Sequence, residues 1–135
     1  MKEVNAYLTF DGNCREAMKF YEQCLGAELE LTTFGDMPGE VSAAAKDRIM
    51  HARLAKGSTI LMASDTMPGM PLNKGNNCSI AVHCESRQEI ERLFTAFSKN
   101  AQIRMPLEDT NWGAHFGMLT DQYGIQWMFN YSKPK

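Results

Sequence analysis

No stretch of this sequence stays apolar for the roughly 18 residues that a membrane-spanning helix requires. The opening Met1-Lys-Glu-Val-Asn5 lacks the apolar core of a signal peptide. A cytoplasmic location without a membrane partner is therefore expected. Charge of one sign is also missing: 14 Lys and Arg stand against 16 Asp and Glu, a formal net charge of −2. Without a basic footprint, nucleic acid is not expected as a partner. The four cysteines, Cys14, Cys24, Cys78 and Cys84, include no CxxC pair, which removes a zinc knuckle or a thioredoxin-type motif. Disulfides are not expected in a cytoplasmic chain. Cys24 and Cys84 fall on apolar faces, where a thiol packs as a small hydrophobe. Cys14 sits at a helix start, where a thiol pKa can be lowered, although an incidental first-turn thiol is the favoured reading. No H-E-x-x-H occurs, and no Ser/His/Asp or Cys/His spacing points to nucleophilic catalysis. No Gly-rich turn from strand to helix is present to hold a nucleotide-like cofactor.

What the chain does contain is one pattern twice. Asn13 and Glu16 are spaced as a capping box, and Ala17, Phe20, Tyr21 and Cys24 follow at i, i+3, i+4, i+7. Gly26 supplies a C-cap. At an offset of 73, Ser86 and Glu89 repeat the box, and Ile90, Leu93, Phe94 and Phe97 repeat the face. The spacing predicts helices over 13–25 and 86–98. The flanks repeat too. Val4, Ala6, Leu8 and Phe10 alternate as a strand, as do Ile80, Val82 and Cys84. Strands are expected over 27–34, 49–54 and 59–63, the last two joined by a turn at Lys56-Gly57. Residues 35–47 read as a loop with a short helix or lid. In the second half, a strand over 101–105 ends at Pro106, a loop carries Trp112-Gly113, and strands over 115–120 and 126–131 flank Asp121-Gln-Tyr-Gly124. The fold class is therefore α+β. One domain is expected, made of two βαβββ modules at about 1–65 and 77–132, joined by a Pro/Gly/Asn-rich linker at about 66–76. Two such sheets curled around a common cavity would offer a place for a small ligand.

The doubled pattern, Gly12-Asn13-x-x-Glu16-Ala17-x-x-Phe20-Tyr21 and Asp121-x-x-Gly124 resemble the vicinal oxygen chelate superfamily of glyoxalase I, extradiol dioxygenases, and fosfomycin and bleomycin resistance proteins. Tyr7-Leu8-x-Phe10-x-Gly12-Asn13, His51-Ala52-x-Leu54, Leu61-Met62-x-Ser64-Asp65 and Gly124-Ile125-x-Trp127-Met128-x-Asn130 are similar to its PhnB-like branch. The resemblance implies modules around a central cavity, a homodimer, and a metal held by His, Gln or Glu on the first and last strands of each half. By strand parity those positions fall at about Asn5, Met62, Ser79 and Met128. Thioethers favour soft Cu(I), and Ser and Asn bind divalent metals weakly. No metal and no other cofactor is therefore expected at the usual positions. A small-molecule-binding protein is the favoured function. A metal-dependent lyase, transferase or dioxygenase, with ligands relocated to His51, His115 and a carboxylate, is the alternative. The ubiquinone-type methyltransferase label that travels with PhnB-like chains is not expected to apply. Catalytic residues are not identified. Candidate ligand-binding residues are His51, with Arg53 on the same strand face, Tyr7, Trp112, His115, Met62 and Met128. His83 is a weaker candidate.

Overall fold

The computed structural model describes residues 1–134. The elements run β1 (Ala6–Phe10), α1 (Cys14–Leu25), β2 (Glu28–Thr33), a 3-10 turn (Phe34–Asp36), β3 (Ile49–Lys56), β4 (Thr59–Asp65), β5 (Ile80–His83), α2 (Arg87–Phe97), β6 (Gln102–Asp109), β7 (Ala114–Thr120) and β8 (Gln126–Ser132). This is βαβββ twice. The chain divides into two compact units, Met1–Asn73 and Lys74 onward.

The first unit is a mixed sheet of order β1-β4-β3-β2, with β1 parallel to β4 and the remaining pairs antiparallel. Alternation decides which side chains meet the helix. Ala52, Leu54, Leu61, Ala63 and Phe10 are buried, as are Cys14, Ala17, Met18, Tyr21 and Cys24 of α1. Val4 is exposed and precedes β1. It has no strand partner to align it, so the predicted alternation there has nothing to pack on. Residues 43–47 form turns that bury Ala45.

The capping box predicted for α1 does not form. Asn13 makes no side-chain cap bond. Asp65, at the end of β4, does the work instead. Its carboxylate accepts from the Gly12 and Cys14 N–H groups at 2.8 and 3.0 Å, and from Ile49 N–H at 2.8 Å. A buried anion at a helix N-terminus meets both unpaired N–H groups and the positive end of the macrodipole. Gly26 closes the helix as expected, at φ 64°.

The second unit has the same order, β5-β8-β7-β6. Its core is aromatic: Phe97 packs on Trp127 with centroids 4.6 Å apart, and Phe94 meets Phe129 edge-on at 5.6 Å. Ser86 caps α2 by accepting from Glu89 N–H at 3.0 Å. Glu89 reaches one residue further back than a standard box, to Glu85 N–H. The helix has no following glycine, and Asn100 takes the left-handed conformation at φ 54°, which Asn tolerates better than most residues. Pro106 does not end its strand. β6 is an edge strand, where proline is tolerated because no ladder donor is required on the open side, and the register shifts on both sides of Met105. Asp121 accounts for the Asp-x-x-Gly turn: it accepts from Tyr123 N–H, Ile125 N–H and the Trp127 indole at 2.8, 3.0 and 2.8 Å.

Candidate functional site

In each sheet one face packs on a helix and the other carries none. On the first unit's helix-free face, register partners line up in a row: Tyr7 beside Met62, Met62 beside Arg53, and Arg53 beside Glu30. His51 lies two residues before Arg53 on the same face, with Thr32 as its partner on β2. Strand parity put His51 and Arg53 on one face of β3, and the ladder sets Tyr7 and Met62 on that face as well. The Tyr7 hydroxyl lies 3.3 Å from His51 Nδ1, and the two rings are tilted with centroids 5.9 Å apart. Tyr7 therefore leans across β4 to reach β3. Tyr7 is 48% exposed, whereas His51, Arg53 and Met62 are half-buried. Glu30 and Thr32 belong to the same face. The alternation of β2 carried that signal, since Leu29 and Leu31 mark the other side.

The remaining candidates lie in the second unit, and they do not share one environment. Met128 pairs with Met118 on the helix-free face. Trp112 is 65% exposed and meets Phe116 edge-on at 6.1 Å. His83 is exposed at the end of β5. His115 is on the opposite side. It lies two residues before Gly117 and shares its face; an added Cβ at Gly117 would lie 2.7 Å from the Phe94 ring of α2, so His115 faces the helix side. It is buried, and its Nδ1 is 2.9 Å from Asp109. Asp109 also takes Lys133 at 3.0 Å and Arg87 at 3.4 Å. The Lys133 hydrogen bond, opposed by some burial and assisted by the one from His115, holds Asp109 below the ordinary carboxylate range. Sequence reasoning missed this cluster because it joins β6, α2, β7 and the C-terminal tail, with no short spacing to mark it.

Asn5, Met62, Ser79 and Met128 offer thioether, amide and hydroxyl groups, a donor set that does not fit a divalent metal. Among the described residues no group of three or more His, Cys, Asp and Glu side chains could hold one. A helix start can lower a thiol pKa, but Cys14 moves the other way. Burial, reinforced by the Asp65 charge, pushes the thiol up to about 12. A shallow depression of about 420 Å³ lies elsewhere in the first unit, between Gly26–Glu28 and Ala55–Gly57. It contains none of the candidate residues. Among the described residues no helix is long and apolar enough to cross a membrane.

A family model described as 3-demethylubiquinone-9 3-methyltransferase matches residues 2–129. Protein YjdN of Escherichia coli K12 is 32% identical, over 96% of this chain and 95% of its own length. The crystal structure of protein PA1353 from Pseudomonas aeruginosa is 45% identical and superposes with a TM-score of 0.90, over 99% of this chain and all of that one (100%). The PhnB protein of Bacillus cereus is 25% identical with a TM-score of 0.80, over 97% and 100%. A glyoxalase/bleomycin resistance protein of Albidiferax ferrireducens shares the fold alone, at 15% identity and a TM-score of 0.62, over 97% and 99%. On this sequence, fold and strand order, the chain belongs to the PhnB-like family described as 3-demethylubiquinone-9 3-methyltransferase, on the glyoxalase/bleomycin resistance fold.

Proposed function

We propose that this protein binds a small molecule on the helix-free face of its first unit, through Tyr7, His51, Arg53 and Met62. The observation that carries the reading is the Tyr7–His51 pair, 3.3 Å apart. It places a phenol and an imidazole together on the sheet face opposite α1. His51 Nδ1 is engaged by Tyr7, which leaves Nε2 to meet a ligand as donor or acceptor, according to tautomer. Met62 supplies an adaptable apolar surface between the strands that carry Tyr7 and Arg53. His115 is retained only as a helix-side residue whose Nδ1 is already engaged by Asp109.

The family description names methyl transfer, and we do not carry that activity to this chain. The turn from β1 to α1 is Asp11-Gly12-Asn13, and from β5 to α2 it is Cys84-Glu85-Ser86. Neither resembles the Gly-rich turn that brings a backbone close to a nucleotide-like cofactor. The proposed assembly is a homodimer and the proposed location cytoplasmic.

Titration of fragment-sized compounds, followed by the His51 and Tyr7 ring signals in NMR, tests the reading. Compounds that bind shift both rings. His51→Ala weakens binding roughly tenfold, a single polar contact's worth, and leaves the unfolding midpoint nearly unchanged. S-adenosylmethionine in the same titration shifts neither ring. Loss of fold in His51→Ala, or binders that leave both rings unmoved, would return His51 to a structural role.

A further inference from the structure

We infer that the ligand of this face is a monocarboxylate, and that Arg53 is the residue that receives it. This rests on the small-molecule reading above and names its chemical class. Six arginines occur in the chain, and two of them, Arg48 and Arg53, are half-buried. Arg48 already holds an anion. It bonds Asp11 at 2.7 Å, the Thr66 carbonyl at 2.8 Å and the Thr66 hydroxyl at 3.1 Å. Arg53 is different. Among the described residues no carboxylate lies within ion-pair distance of its guanidinium, and no hydrogen bond is assigned to it. Glu30 is its register partner on β2, yet Glu30 is exposed and the pair does not close. The unpaired Arg53 guanidinium keeps its N–H donors open to solvent on this face, and an incoming oxyanion can engage them as a charge-assisted pair.

The geometry selects the kind of anion. A guanidinium fork matches the two oxygens of a carboxylate in one plane. Arg53 and His51 share β3, so a carboxylate on Arg53 can also reach His51 Nε2. Met62 is the register neighbour of both Tyr7 and Arg53. The half-exposed Tyr7 ring and the Met62 thioether therefore seat an apolar body attached to the carboxylate. A dianion fits less well, because one fixed cation faces it and Glu30 stands next in the row.

Benzoate, benzamide and inorganic phosphate are suitable probes, read by the Arg53 Nε–H and His51 ring signals. Benzoate is expected to shift both and to bind at least about tenfold more tightly than benzamide, the scale of a charge-assisted hydrogen bond. Arg53→Met removes that preference, so that the two probes bind alike. Glu30→Gln, which leaves Arg53 in place, tightens benzoate. Benzamide binding as tightly as benzoate, with shifts at His51 but not at Arg53, overturns the carboxylate inference and leaves the small-molecule reading standing. Phosphate binding more tightly than benzoate overturns the monocarboxylate assignment. Absence of any shift at His51 or Tyr7, with these probes and with the fragment set, overturns both readings.

Discussion

Burial and the Asp65 carboxylate both oppose a thiolate at Cys14, and they push its pKa up to about 12. Cys78 is exposed. Alkylation of the folded protein at pH 8 is therefore expected to label Cys78 and spare Cys14, as peptide mass spectrometry can read. Labelling of Cys14 at the rate of Cys78 would show that the helix start opens readily. Asp109 is a second residue whose charge is set by neighbours. With its folded pKa held below that of a free carboxylate, its contribution to stability is present above the unfolded carboxylate pKa. It is lost as pH falls through the folded value. Lys133→Met is expected to raise the Asp109 titration midpoint seen by carboxyl-carbon NMR, since the Lys133 hydrogen bond is the largest cause of the lowering. The two histidines show how far a residue's place was legible. His51 was placed correctly because one strand's alternation fixes a face. For His115 the same alternation needed to know which face the helix took, and only Gly117 under Phe94 settles that.

Single elements show where local pattern stops. The sequence offers the same capping box to both helices, and only α2 uses its own cap residue. At α1 the acceptor arrives from Asp65, 51 residues beyond Cys14. No local spacing could have shown that, because the partner is set by β1 lying parallel to β4. The energetic consequence is specific. Asp65→Ala strands three buried or part-buried N–H groups and is expected to cost about 3 kcal/mol or more, with Asp65→Asn milder because one acceptor oxygen remains. Ser86→Ala is expected to cost about 1 kcal/mol, while Asn13→Ala costs little, since Asn13 makes no side-chain cap bond. Urea unfolding midpoints order the four variants. An Asn13→Ala loss equal to that of Ser86→Ala would restore the local cap. Pro106 teaches the same limit for strands: whether a proline ends a strand depends on whether the strand is an edge, and edge position is a property of the sheet.

At the scale of the molecule, the repeat was legible because each helix must bury one face at 3.6-residue spacing, so both halves carry the same fixed intervals. Ala17 and Ile90, equivalent in that repeat, are both fully buried. The candidate site was less legible, because the reach of Tyr7 across β4 to His51 depends on side-chain lean and not on register. The same sheets bear on assembly. Both are open, with β1 and β2 at the edges of one and β5 and β6 at the edges of the other. An edge strand presents unpaired N–H and C=O groups, and natural proteins usually blunt or cover such edges. β6 is blunted by Pro106 and its register shifts, yet Ile103 and Met105 remain 43% and 42% exposed on it. We propose that a second copy of the chain covers this edge in the homodimer. Light scattering after size exclusion is expected to give twice the chain mass of 15.2 kDa. Ile103→Lys with Met105→Lys is expected to shift the protein toward monomer at micromolar concentration while its circular dichroism is unchanged. Monomer mass for the unmodified chain across a hundredfold range of concentration, on the order of the span that separates weak from stable pairs, would refute the dimer. An unchanged dimer in the double variant would move the interface away from β6.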